Sequence, residues 1–387
     1  MNKRTTMLGY SLMLILLLTS ACTPAQPEAM TSPPTQTIAP STVTSVPATA
    51  TTVPTATPVP TATATITPTE IPALNPSARG DVSMAYDSES DKIILFGGHT
   101  GGDYDDPAHY NGETWAYDVA TNTWTEMKPI PGPKARSHHG SAYDSESDRV
   151  ILFSGGDHRD LSLPDTWAYD YNTNTWTEMA KGPANRYGFR MAYDSESDRI
   201  ILFSGHRFPN EFLNDTWAYD FNSDTWTQMQ PSTSPKGRAF HGMTYDAQID
   251  RVIVFGGDVN YAPRSDTWTY DFNTDTWEEV KLDMGTPPRG RFDLAMVYDA
   301  GADQTILYGG HTGGSETWVF DYSLRTWTQL EPDQAPGTRS LHSLVYSSAA
   351  EQVILFGGQL FTQFDYTDQT WSFDLNSNTW TNLTRSP

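Results

Sequence analysis

Twelve tryptophans fall in six pairs, and their spacing restricts the fold more than any other feature of this 387-residue chain. The first members are Trp115, Trp167, Trp217, Trp268, Trp318 and Trp371; the second are Trp124, Trp176, Trp226, Trp277, Trp327 and Trp380. Successive first members lie 52, 50, 51, 50 and 53 residues apart. The segment around each pair, such as residues 165–176, reads as two short strands. Thr and aromatic side chains suit a pleated, half-buried surface, and Asn and Asp supply the turn. A period near fifty, with several short strands in each, is the mark of a propeller.

Each period holds four strand-like pieces; in the second these are 139–144, 149–153, 166–170 and 175–179. The second piece is a near-continuous apolar run (93–96, 150–153, 200–203, 252–255, 306–308 and 353–356), expected for a strand buried on both faces. Each run ends at a Gly pair, Gly97–Gly98, Gly256–Gly257, Gly309–Gly310 and Gly357–Gly358, replaced by Ser154–Gly155 and Ser204–Gly205 in periods two and three. The second Gly is present in all six, which points to a backbone conformation or close approach that a side chain forbids.

This pattern resembles the Kelch repeat, whose hallmarks are a Gly pair after the second strand and a Tyr and Trp further on. The resemblance covers residues 76–387. It implies an all-β, six-bladed Kelch-type β-propeller with four antiparallel strands per blade, the blades spanning 76–128, 129–180, 181–230, 231–281, 282–331 and 332–387. The first repeat opens with its first strand and the last ends with its fourth. Closure is therefore expected from packing of blade six on blade one, with no strand borrowed from the other terminus.

Residues 1–22 carry Lys3 and Arg4, an apolar run over 7–18, then small residues and Cys22, the sole cysteine. This reads as a secretory signal peptide. Its end resembles a bacterial lipobox, which implies lipidation at Cys22, although Thr19 stands where that pattern places Leu. Residues 23–75 are mostly Thr, Pro, Ala, Ser and Val, a composition that builds no core and reads as a disordered, partly polyproline stalk. The expected location is outside the cytoplasm, at the cell surface or in the periplasm, tethered to a membrane through Cys22 alone.

The net charge is −23, and all of it belongs to residues 76–387, because Lys3 and Arg4 balance Glu28 and Glu70. Such a surface repels nucleic acid and anionic membranes. Acids gather in the turns between first and second strands (87–91, 144–148 and 194–198) and between third and fourth strands, all on one face. Asp and Ser are good turn formers, and no turn shows a Ca²⁺-loop pattern. The other face collects the long loops, all nine histidines and the repeat-opening arginines, and loops on a rigid scaffold are where function concentrates. The candidate ligand-binding residues are Arg136, His139, Arg186, Arg238, His241, Arg291, Arg339 and His342. The arginines have a competing, structural role, since one recurs in every repeat. Metal binding is not expected, because histidines spread around a channel stand too far apart for one ion.

Three enzyme classes are worth comparison. Galactose oxidase, a Kelch-like propeller, needs a Tyr–Cys crosslink that a propeller without cysteine cannot form. The Asp-box of six-bladed sialidases is unmatched by the Asp-Thr-Trp segments here. A cofactor-free enzyme resembling a sialic-acid mutarotase is the remaining alternative, in which Arg would take a carboxylate and a His or Glu would move a proton. The leading expectation is a monomeric, cofactor-free module that binds a protein or glycan outside the membrane.

Overall fold

The computed structural model describes residues 75–157, 163–361 and 365–385. Cys22, the segment assigned to export, nearly all of the Thr/Pro-rich segment and His158 lie outside the described residues.

Six four-stranded antiparallel sheets are present, each with its strands paired in chain order; short strands in the loops of blades three and six add a two-stranded sheet (His206–Arg207 with Glu211–Phe212) and a three-stranded one (Arg339–Ser340, Gln359–Leu360 and Asp365–Tyr366). Among the described residues the only helical element is a 3-10 turn, Pro107–His109. The second blade runs Gly140–Asp144, Arg149–Phe153, Thr166–Asp170 and Thr175–Met179, paired in that order. Its first strand starts one residue later than the sequence pattern implies, because the His139 ring turns away to pack on Phe96 of the preceding blade.

The first strands are innermost: Ser83–Asp87, Gly140–Asp144, Arg190–Asp194, Gly242–Asp246, Ala295–Asp299 and Ser343–Ser347. Each pairs with a single strand of its own sheet and packs against the first strands of both neighbouring blades. Ser343–Ser347 packs on Ser83–Asp87, so the ring is closed.

The apolar second strands are almost wholly excluded from solvent and form the core between blades; Ile93 and Leu95 of blade one, for example, meet Ile354 and Phe356 of blade six. The second tryptophan of each pair joins one blade to the one before it. Its ring lies against the aromatic residue ending the preceding second strand, with centroids 4.5–5.4 Å apart. Its Nε1 donates to a threonine Oγ1 on the preceding third strand at 2.9–3.1 Å: Trp124 to Thr370, Trp176 to Thr114, Trp226 to Thr166, Trp277 to Thr216, Trp327 to Thr267 and Trp380 to Thr317. This explains why Thr precedes the first tryptophan in every repeat: its hydroxyl satisfies an indole N–H that burial would otherwise strand. The Trp124–Thr370 bond crosses the closing seam, so blades six and one meet through the same contacts as any other pair.

The Gly pattern follows from the backbone. The second position has φ between +91° and +107° in all six blades, and a Cβ on Gly155 would lie 2.7 Å from the Ser137 carbonyl oxygen. The first position has φ near +60°, the left-handed region that L-residues enter at modest cost. Ser154 and Ser204 occupy it, and each hydroxyl donates to the next blade's arginine carbonyl, Arg186 at 2.9 Å and Arg238 at 2.7 Å.

Candidate functional site

The repeat-opening arginines are 0–1 % exposed. Arg136 shows the arrangement. Its Nε donates to the Lys134 carbonyl at 3.0 Å and its Nη1 to the Ser154 carbonyl at 2.9 Å. The guanidinium also forks onto Asp165 at 2.5 and 2.7 Å, and the same carboxylate accepts from Trp167 Nε1 at 2.8 Å. Arg186 with Asp215 and Trp217, and Arg238 with Asp266 and Trp268, repeat this geometry. Arg79 and Arg291 use Glu113 and Glu316. In blade six Gln369 stands in the acid's place, so Arg339 has a neutral partner at 2.7 Å, and burial lowers its pKa to about 10. These forks clamp the segment that opens each repeat to both ends of the loop between its second and third strands. No guanidinium of the six is open to solvent, and the structural role is the one that this burial supports.

His139, His241 and His342 are also buried, each with its ring edge-on to the aromatic residue ending the preceding blade's second strand (Phe96, Phe203 and Tyr308) at 5.5 Å. Burial, reinforced by nearby arginines, lowers their pKa, to about 3 for His139 and His342 and well below the usual value for His241. They are neutral at physiological pH. The eight residues singled out in the sequence thus lie in seams and at loop bases; of them only His139 and His342 come together, along the wall of the central cavity.

What does meet is the set of residues two positions beyond the arginines: Asp81, His138, Gly188, Phe240, Asp293 and Leu341. All six have φ between +54° and +67°, a costly setting for Phe240 and Leu341. Five backbone bonds link them blade to blade: Asp81 N–H to Leu341, His138 to Asp81, Phe240 to Gly188, Asp293 to Phe240 and Leu341 to Asp293, at 2.6–3.3 Å. They form a hub across the channel on the loop face.

Aromatic rings gather over this hub. Tyr104 stacks on His99 at 4.1 Å, and its hydroxyl lies 3.3 Å from that of Tyr366. His138 approaches Tyr187 at 6.0 Å and Phe240 at 5.8 Å, while Phe292 stacks on His311 at 4.7 Å. His138 Nε2 is 3.1 Å from Asp81 Oδ1. Burial raises the Asp81 carboxyl to about 7, and raises Asp293 well above the usual carboxylate range with the Asp81 charge adding to the effect. Burial likewise lowers His138 to about 4. Tyr104 is 45 % exposed, so this platform presents aromatic surface to solvent.

On the opposite face the acidic turns serve local structure. Asp87, Asp144, Asp194, Asp246 and Asp299 each accept two backbone N–H groups of their own turn through Oδ1. Tyr86, Tyr143, Tyr193, Tyr245 and Tyr298 donate to the aspartate five residues on at 2.9–3.0 Å. With Tyr346 these tyrosines ring the channel where it opens, and a cavity of about 390 Å³ runs inward from them.

Asp81, Asp293, Tyr104, Tyr366 and Arg190 were not singled out from the sequence. Superposing the repeats on their arginines does expose the first two and the last, since non-equivalent residues stand there at otherwise regular positions. The tyrosines lie in loops of unequal length, where no register applies.

Residues 179–358 match a family described as KLHDC2/KLHL20/DRC7 Kelch-repeats domain. Residues 59–262 match one described as Attractin/LZTR1 beta-propeller.

Proposed function

The chain belongs to the Kelch-repeat β-propellers, scaffolds that bind protein partners, and on that premise we propose that it is an extracytoplasmic binding module. It holds a protein or glycan ligand on the loop face, over the hub. The observation that carries this reading is the aromatic platform itself: Tyr104, Tyr187, Tyr366 and Phe240 converge on one channel mouth beside Asp81 and His138. Partly exposed aromatic rings beside polar groups suit both protein anchors and the faces of sugars. The eight residues first picked from the sequence act in this reading by fixing the loops that carry the platform.

The test is a pair of variants on glycan and protein arrays. Tyr104→Ala with Tyr366→Ala should lower ligand capture by roughly tenfold or more, the loss of one or two anchor residues. Asp148→Asn with Asp198→Asn, on the turn face, should leave capture unchanged. The opposite pattern would place the ligand on the wrong face.

The same reading places the module on a Thr/Pro-rich tether, lipidated at Cys22. Its support is the position of the sole cysteine, between an apolar run and the stalk. Cys22→Ser should move the protein from the detergent phase to the aqueous phase or leave the precursor uncleaved. Identical partitioning would remove the anchor from the proposal.

A cofactor-free sugar enzyme is the second reading, and Asp81 favours it. A carboxyl titrating near 7 is suited to general acid–base work at neutral pH. Following aldose anomers by NMR separates turnover from binding.

A further inference from the structure

Five blades carry small residues at the start of the first strand: Ser83, Gly140, Gly242, Ala295 and Ser343. Blade three carries Arg190. Nothing in the repeat needs a long cation there, and its side chain enters the central cavity.

That cavity has an unusual wall for a chain of net charge −23. Its lining contains no carboxylate, and Arg190 is its one charged residue. The guanidinium donates through Nη1 to the Phe189 carbonyl at 3.0 Å, and no carboxylate among the described residues comes within ion-pair distance of it. Asp81 and Asp293 are near enough to feel its charge but belong to the hub, outside the cavity lining.

Other polar groups of the same wall also lack partners: Ser83 Oγ and Ser141 Oγ are unpaired. His139 and His342 are buried in this wall, but each turns a ring N–H to a backbone carbonyl, Phe96 at 3.1 Å and Tyr308, so neither has a donor left for the cavity. Buried polar groups ordinarily find partners, so a guanidinium edge and two hydroxyls left unpaired around one cavity imply a missing acceptor. The imidazoles are neutral, as their lowered pKa requires, which leaves a single positive charge. The rest of the wall is Met84, Met191, Met243, Met296 and Leu344, with the tyrosines at the mouth.

We propose that the channel is a binding site for a small organic monocarboxylate, entered from the turn face. The carboxylate pairs with the free edge of the Arg190 guanidinium and accepts from the neighbouring Ser83 and Ser141 hydroxyls. Its apolar body lies among the methionines and reaches the tyrosine collar. A planar fork suits a planar carboxylate, and one cation balances one anion. At about 390 Å³ the cavity lies within the range of small-molecule pockets. This site is on the far side of the hub from the loop platform and does not depend on the reading of that platform.

The experiment titrates the full chain with acetate and benzoate, and with acetamide and benzamide as uncharged controls, following the Arg190 Nε–Hε resonance by NMR. At least one carboxylate should give a saturable shift at Arg190 and at the His139 and His342 ring signals, and the amides none. Arg190→Gln should weaken binding roughly 10–100-fold, the loss of a charge-assisted pair. Arg190→Lys, which keeps the charge and loses the fork, should fall between, and it serves alone if Arg190→Gln does not fold. No saturable shift with either carboxylate, equal shifts with the amides, or unchanged affinity in Arg190→Lys and Arg190→Gln would each overturn the proposal.

Discussion

Arg238→Met should destabilise the propeller by about 3–5 kcal/mol, because it leaves Asp266 half-buried with its counter-charge gone. That is a large share of an ordinary domain's ~5–15 kcal/mol. The Gly256 carbonyl and Trp268 Nε1 depend on the same cluster, the first losing its donor at 2.8 Å and the second keeping an acceptor no longer held in place. Chemical denaturation of the variant measures the loss. Arg339→Met, in blade six, should cost less, since Gln369 is neutral and leaves no orphaned charge behind. Equal losses in the two blades would show that guanidinium packing, rather than the ion pair, carries the clamp.

Trp124→Ala should cost a similar ~3–5 kcal/mol, the usual range for removing a large buried aromatic. It opens the closing seam by removing the contact with Phe356 and the bond to Thr370. Trp277→Ala removes the equivalent pair, Phe203 and Thr216, from an internal seam. Because the two seams share one geometry, the two variants should melt alike. A much larger loss for Trp124→Ala would mean that the ring is weakest where the chain ends meet. Trp226 is only half-buried and should give the smaller loss of the six.

The architecture was legible because the features that build it recur. A tryptophan whose indole needs a threonine acceptor, and an arginine that needs an acceptor before the third strand (an acid in five blades, Gln369 in the sixth), must appear once per blade, so their period displays the fold. The candidate site was less legible for the opposite reason. His139, His241 and His342 attract attention because they recur, yet recurrence marks seam packing here. Arg190 occurs once and sits at a position occupied elsewhere by Gly, Ala or Ser. Its meaning comes from five other strands converging on the axis, and no local pattern encodes that convergence. Tyr104 and Tyr366 meet from blades one and six, 262 residues apart, and their proximity is a product of ring closure alone.

The hub is held by main-chain bonds between residues as unlike as aspartate, histidine, phenylalanine and leucine. Its side chains are therefore released from the task of keeping the ring together. Gly188 aside, where a Cβ would meet the Phe240 ring at 2.8 Å, these positions act as sockets at the mouth of the channel, and a new set of groups installed there would change what the protein recognises without renegotiating how its blades are joined.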